Sequence, residues 1–264
     1  TYESYERSFN IVKGNMLAGN SYLANLTCRV PVDCNLSLDD IFAHSKGKYR
    51  LLLRGYRNRD RRFVCFSPES FLRISHGRIY SYPMKGTIDA SIPNARQELM
   101  NDTKEAAEHA TIVDLIRNDL SRVATDVRVD CYRYVDTLHT NKGDILQTSS
   151  EISGLLPHDY HLHLGDIIAA QLPAGSITGA PKKKTVEIIH EAENYHREYY
   201  TGVMGIYSDG CLNSAVMIRF VEQDSLGMAF KAGGGITAQS CCRKEYEEVL
   251  QKIYLPITAE KQKQ

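Results

Sequence analysis

The chain has no net charge: 32 Lys plus Arg stand against 32 Asp plus Glu in 264 residues. Nucleic acid and anionic membranes select basic surfaces, so this balance gives no electrostatic reason to expect either as a partner. No apolar run reaches the roughly 18 residues a membrane span needs. No charged-then-apolar leader opens the chain, so no secretory signal is visible. The first residue is Thr1 rather than Met, as expected of a trimmed piece. C-x-x-C is missing as well. The seven cysteines, at 28, 34, 65, 131, 211, 241 and 242, are odd in number. They fit reduced thiols in a cytoplasmic protein better than a disulfide framework or a zinc knuckle. Low-complexity stretches, internal repeats and linkers rich in Gly, Ser or Pro are absent, and one continuous domain over residues 1–264 is the simplest reading. The hydrophobic share of 42% and charged share of 24% belong to an ordinary globular protein and exclude a disordered chain.

Periodicity and turn residues then place the elements. Helices are predicted over Thr1–Ala18, Leu36–Ser45 (with Ser37 or Asp39 near its start), Asp102–Ala124, Gly165–Gln171, Pro181–Glu193 and Cys241–Tyr254. Short strands are predicted over Tyr49–Arg54, Arg62–Phe66, Phe71–Ser75, Arg78–Tyr82, Gly202–Ser208, Leu212–Val221 and Gly227–Ala232. Turn signals at Gly55–Asp60, Ser67-Pro68 and His76-Gly77 separate the early ones. Strands come in blocks with helices between the blocks. That order predicts an α+β protein with antiparallel sheet rather than a regular βαβ alternation.

Two helices carry acids where acids are costly. At about 100° per residue, Ile112, Val113, Leu115, Ile116, Leu120 and Val123 share one face, and Glu105 and Glu108 project onto it. Glu105 also fits a capping box with Asp102, and a first-turn acid suits the helix dipole. Glu108 lies one turn deeper, where a carboxylate must be paired or bound to a cation. The last helix repeats the pattern, with Glu245, Glu248 and Lys252 on a stripe beside Tyr246, Val249, Leu250 and Ile253. Its bland reading is a solvated face with a Glu248–Lys252 pair. Together the helices offer E-x-x-E twice, an all-oxygen donor set of the kind that suits Mg²⁺.

Three glycine segments stand out. Gly175-Ser176-Ile177-Thr178-Gly179-Ala180-Pro181 leads into a helix that begins with three lysines. It is not a phosphate-binding P-loop, because Ala180-Pro181 intervenes between glycine and lysine. Gly233-Gly234-Gly235 follows a strand, as a ligand-facing turn or a plain tight loop. Pro83-Met84-Lys85-Gly86-Thr87 places a lysine before glycine, ordinarily a solvated turn residue. His158, His161 and His163 form a further cluster, but only Asp159 is placed to complete a metal site there.

Taken in order, these segments resemble the chorismate-utilising enzymes, which include anthranilate synthase component I, aminodeoxychorismate synthase component I, isochorismate synthase and salicylate synthase. The resemblance runs from about Tyr5 to Pro256. It rests on SPES at 67–70, PMKGT at 83–87, KEAAEHATIVDLIRNDLSRVA at 104–124, PAGSITGAPKKK at 173–184, YYTGVMGIYS at 199–208, and AGGGITAQ with EYEE at 232–248. It implies an antiparallel β-sheet sandwich with helices packed outside, here with the family's N-terminal region absent or very short. Leu23 sits near where the water-adding members carry a lysine base. Lys85 stands where anthranilate synthases typically have alanine, and GSITGAPK is likewise closer to the aminodeoxychorismate synthases. The resemblance thus implies amination of chorismate at C4, a step toward p-aminobenzoate and folate.

The implied chemistry gives each residue a role. Glu69 would protonate the departing C4 hydroxyl, with a raised pKa that burial would supply. Lys85, as the neutral amine, would attack C2 and form a covalent intermediate. Ammonia, free or from a glutamine amidotransferase partner, would then attack C4 and expel the lysine. One substrate carboxylate would meet Mg²⁺ held by Glu108 and Glu248, with Glu105 and Glu245 as outer or alternative ligands. The other would meet Tyr200, Arg219 and Lys252 and the backbone of Gly233–Gly235, and Gly86, Thr87 and Thr178 would also line the site. Gln147 stands where the family often has histidine, ahead of Ser150 and Gly154. SCCRK precedes EYEE, leaving Cys241 and Cys242 unexplained. Three alternatives stay open: anthranilate synthase component I, a non-catalytic chorismate-binding module and, remotely, a nucleotide-binding domain.

Overall fold

The computed structural model describes residues 1–55, 62–140 and 143–253. Most of the turn predicted at Gly55–Asp60, and Tyr254 at the end of the last predicted helix, lie outside them. In chain order the elements are α1 (Tyr2–Leu17), β1 (Leu23–Pro31), α2 (Leu38–His44), β2 (Tyr49–Leu53), β3 (Arg62–Ser67), β4 (Ser70–Ser75), β5 (Arg78–Ser81) and β6 (Met84–Asp89). There follow α3 (Ala95–Asn101), α4 (Thr103–Leu120), β7 (Thr125–Thr140), β8 (Gly143–Leu155), α5 (Leu164–Gln171), β9 (Gly179–Ala180) and α6 (Lys182–Ala192). The chain closes with β10 (Val203–Ser208), β11 (Cys211–Val216), β12 (Phe220–Asp224), β13 (Gly227–Ile236) and α7 (Cys242–Gln251).

These elements form two compact units, and the chain passes between them more than once. The first holds Thr1–Glu69, Ile177–Val203 and the chain from Val216 onward; the second holds Ser70–Ser176 and Met204–Ala215. Within the first unit, six strands make an antiparallel sheet in the order β2-β3-β12-β13-β1-β9. Its core gathers Tyr5, Phe9, Val12 and Met16 from α1 with Leu26, Ile41, Phe66, Val221, Phe230, Ile188 and Val249. The α1 residues recur every three or four positions, so one stripe of the helix is buried. Ser37 caps α2 with a reciprocal bond to Asp40, as the sequence suggests.

The second unit has its own antiparallel sheet, β10-β11-β4-β5-β8-β6, with the long β7 also paired to β8. Its buried apolar residues include Leu72, Ile74, Ile79, Leu99, Ile112, Leu120 and Ile152. The predicted α+β class with antiparallel sheet therefore holds.

The structure also departs from several expectations. The single strand expected over Leu212–Val221 is two, broken at Met217–Arg219, where Arg219 takes a left-handed φ of 54°. Gly233–Gly235 is not a loop but the interior of β13, paired with Thr27, Leu26 and Asn25 of β1. A Cβ at Gly233 would lie 2.5 Å from Thr27 Cγ2 and 2.6 Å from the Leu26 carbonyl, so close approach of two backbones is what the glycine permits. Lys85 lies in β6 rather than in a solvated turn.

Candidate active site

In the second unit the site grows from a bulge in β6. The register against β8 runs Lys85↔Thr148 and then Thr87↔Gln147, so Gly86 is the extra residue. Gly86 has φ +77°, and a Cβ there would lie 3.1 Å from Glu105 Oε2 and 3.3 Å from Leu99 Cδ1. Only glycine meets both demands without strain. The Thr148 hydroxyl donates to the Lys85 carbonyl and holds the strand at this point. The Lys85 ammonium lies 2.7 Å from Glu108 Oε2, and Lys104 reaches the same carboxylate at 3.8 Å. Thr87 is exposed.

Helix α4 delivers the acids. Asp102 caps it by accepting from the Glu105 N–H at 2.9 Å. The Glu105 carboxylate itself turns toward Gly86. Its Oε2 is buried with no hydrogen-bond partner among the described residues. Burial raises the Glu105 pKa above the usual carboxylate range, Lys85 pulls it back and Glu108 adds to the rise. One residue beyond Glu108, His109 is fully buried, and its Nε2 shares a 2.6 Å hydrogen bond with Ser150 Oγ. Burial first, then the charges of Arg133 and Lys85, lower this imidazole to about 4, so it is neutral near pH 7. Sequence reasoning passed over His109. The signal was there, since residue 109 falls on the face that carries Glu105, Ile112 and Val113. Gln147 pairs with Thr87 across the strands, and its Oε1 is buried without a partner among the described residues.

The first unit holds a second group of the residues singled out above. Position 234 collects three of their heads: a Cβ on Gly234 would lie 3.8 Å from Lys252 Nζ, 3.9 Å from Glu245 Oε2 and 3.9 Å from Glu248 Oε1. Lys252 pairs with Glu248 at 2.7 Å and donates to the Gly233 carbonyl at 3.1 Å. Glu245 is buried, whereas Glu248 is largely exposed. The Glu248–Lys252 pair expected along the helix is thus present, but it faces β13. Tyr200 is buried against Phe220 at 5.7 Å between ring centroids, and its burial raises the phenol pKa while Arg197 lowers it. Thr178 is buried, and its carbonyl accepts from the Asn25 N–H. Arg219 is half-buried, and its carbonyl accepts from the Phe66 N–H. Glu69, also half-buried, follows β3, and its carbonyl accepts from the Val216 N–H.

Behind these residues in the same unit lies a charged network that the sequence did not reveal. Arg197 makes a two-pronged bond to Glu193 at 2.6 and 2.8 Å and donates to the carbonyls of Ile177 and Asn25. It therefore ties the segment before Thr178 to β1 and to the turn before Tyr200. Lys231 and Glu222, both buried, pair at 2.9 Å, and Lys231 also donates to the Arg197 carbonyl. Buried charges persist only when paired this fully.

The donor chemistry fits a hard divalent cation. Within each unit an E-x-x-E helix carries two carboxylates, and Glu105 Oε2 is a buried oxygen with no hydrogen-bond partner among the described residues. Among the described residues no group of three or more His, Cys, Asp or Glu is assembled for a metal. A pair suffices for Mg²⁺, which commonly binds one or two carboxylates and completes its shell with substrate and water. His163 lies 3.5 Å from Asp159 and 3.6 Å from Asp166, all exposed, and the histidine cluster is a solvated surface. None of the described helices is long and apolar enough to cross a membrane.

Comparison with known proteins identifies the family. An uncharacterized PabA-like protein of Pasteurella multocida is 50% identical over 254 residues, which is 96% of this chain and 76% of that one. Aminodeoxychorismate synthase component 1 of Salmonella typhimurium is 33% identical over 258 residues, 94% of this chain and 56% of the relative. The crystal structure of anthranilate synthase component I from Streptococcus pneumoniae superposes with a TM-score of 0.81 at 26% identity, covering 96% of this chain and 57% of that one. The chain thus spans just over half the length of those two component I proteins. The fold is that of the chorismate-utilising enzymes. The family model for chorismate binding enzymes matches residues 1–258, and the chain belongs to that family.

Proposed function

We propose that the protein aminates chorismate at C4, giving 4-amino-4-deoxychorismate on the way to p-aminobenzoate. The observation that carries this reading is Lys85, held in a glycine-bulged strand against Glu108 rather than left in solvent. Lys85 Nζ, as the free amine, attacks C2 of the ring. The proton it shares with Glu108 must leave first, because an ammonium has no lone pair to donate. As the C2–N bond forms, the two conjugated ring double bonds shift round the ring toward C4 and the C4 hydroxyl departs as water, taking a proton from Glu69. Ammonia then forms the C4–N bond, both ring double bonds shift back and the C2–N bond breaks, so that Lys85 is expelled. The ammonia comes from solution or from a glutamine amidotransferase partner. Tyr200, Arg219, Lys252, Thr178 and the backbone of Gly233 and Gly235 bind substrate, together with Gly86 and Thr87. Glu105, Glu108, Glu245 and Glu248 are the groups assigned to Mg²⁺. When bound, Mg²⁺ would offset the charge of a substrate carboxylate and of the acids that hold it.

The likeness to anthranilate synthase component I supports a second reading, in which pyruvate is also lost and the product is aromatic. Product analysis with chorismate, Mg²⁺ and ammonium separates the two. The expected product keeps its pyruvyl group, and Lys85→Ala lowers its rate by about 100-fold or more. Anthranilate as the product would favour the second reading. Tight chorismate binding without product would make the protein a binding module.

A further inference from the structure

Ser150 is a junction of three chain segments within the second unit. Its backbone N–H donates to the Pro83 carbonyl at 3.0 Å, two residues before Lys85. Its hydroxyl accepts from the Arg133 backbone N–H at 2.8 Å and shares the 2.6 Å bond with His109 Nε2, one residue after Glu108. Ser150 is fully buried, as is His109. The Arg133 end of the junction is itself anchored. Arg133 stands at a bulge of β7 with φ 50°, and its guanidinium donates to the carbonyls of Leu99, Met100 and Asp102, where α3 ends and α4 begins. The His109 ring also meets Tyr132 edge-on, with centroids 5.7 Å apart. Two residues of opposite charge on different elements, Lys85 on β6 and Glu108 on α4, are therefore both referred to one buried residue of β8, the first through the Ser150 backbone N–H and the second through its hydroxyl.

We propose that His109 and Ser150 form a clamp that fixes the spacing of the Lys85–Glu108 pair, each acting as a positioning residue for the lysine chemistry. The role assigned to the pair in turnover rests on the chorismate reading above; the clamp itself rests on the hydrogen bonds. A buried polar junction with short bonds to two elements resists sliding, and displacing reacting groups by an ångström is enough to cost about 100-fold in rate.

The test uses the full chain and two readouts. One is turnover of chorismate. The other is the labelling rate of Lys85 by an amine-acetylating reagent, read by peptide mass spectrometry and independent of any substrate. His109→Leu and Ser150→Ala each break the His109–Ser150 bond while leaving the Ser150 N–H on the Pro83 carbonyl, and the smaller change at Ser150 preserves the core if leucine at 109 prevents folding. Both variants are expected to label severalfold faster at Lys85 and to lose about 100-fold in kcat with little change in KM. His109→Gln, whose amide can replace Nε2, recovers most of both. The double variant is no worse than either single one, because the two groups act as a unit. Gln171→Leu, which removes a buried bond to the Asp119 carbonyl at the far end of α4, lowers stability without changing Lys85 labelling. Unchanged Lys85 labelling in both His109→Leu and Ser150→Ala would overturn the clamp, as would failure of glutamine to restore it. Altered labelling in a protein whose wild type does not turn over chorismate would support the clamp and sink the chorismate reading instead.

Discussion

At the scale of single residues, the site is set by what a side chain can and cannot occupy. Gly86 illustrates this, since its left-handed φ disfavours any L residue and its missing Cβ makes room for Glu105 and Leu99. Gly86→Ala is therefore expected to destabilise by about 1–3 kcal/mol, from backbone strain and displaced neighbours. It should lower activity more than stability, because the bulge aims Lys85. Urea denaturation beside kinetics checks this, and an alanine variant with normal kcat would refute it. Part of the local geometry around the candidate site was legible. Glu105 and Glu108 stood out because charge on an apolar helix face needs a partner, and Glu108 pairs with Lys85 and, at longer range, Lys104. What stayed hidden were groups whose partners are distant in sequence. The Arg197–Glu193 bond lies within one turn-length of chain, yet the carbonyls that complete it come from Ile177 and Asn25. His109 needed Ser150, 41 positions away, before it had a meaning.

At the scale of elements, the helices were readable and several strands were not. Helix α1 has a stripe of Tyr5, Phe9, Val12 and Met16, and α2 has a full capping box, so both carry their own signals. Strand β1 carries none. Leu-Ala-Asn-Leu-Thr-Cys is neither alternating nor continuously apolar, because its burial does not alternate: Leu23 and Ala24, then Leu26 and Thr27, are buried at adjacent positions. Strands β7 and β8 interrupt their alternation with register shifts, and Asp126 and Arg133 take positive φ. A period-2 pattern cannot survive such bulges. Helix α3 starts at Asn94 in a left-handed conformation without a side-chain cap, so its entry signal is also missing. The pairing of β9 with β1 yields an element-scale prediction. A Cβ at Gly179 would fall 1.8 Å from the Leu23 carbonyl oxygen, where φ is +126°. Backbone cannot yield as a side-chain tip does, so Gly179→Ala should cost about 3 kcal/mol or more. It should also loosen the segment carrying Thr178, seen as faster amide exchange at Asn25, whose N–H bonds to the Thr178 carbonyl. Native exchange at Asn25 in this variant would contradict the account.

At the scale of the whole molecule, the chain builds two compact units by leaving and re-entering each. Strands of high sequence separation, such as β1 and β13, pair within one sheet. No composition shift or linker accompanies these crossings, so the sequence reads as one continuous domain. The thiols provide a molecule-wide check. Cys131, Cys211 and Cys241 are exposed, while Cys65 is buried and its thiol is pushed up to about 12. A disulfide-exchanging reagent at pH 7 should titrate those three first, and Cys65 only on unfolding. Early reaction of Cys65 would show that the first unit's sheet opens readily.

The central claim is that Lys85 is the covalent nucleophile, and the most direct measurement is the mass of the Lys85 peptide after incubation with chorismate and Mg²⁺ but no ammonium. Without the second nucleophile the intermediate should accumulate. The account predicts a gain equal to chorismate less one water on Lys85, discharged when ammonium is added. Product formation with no adduct on Lys85, or with the adduct on another lysine, would contradict it.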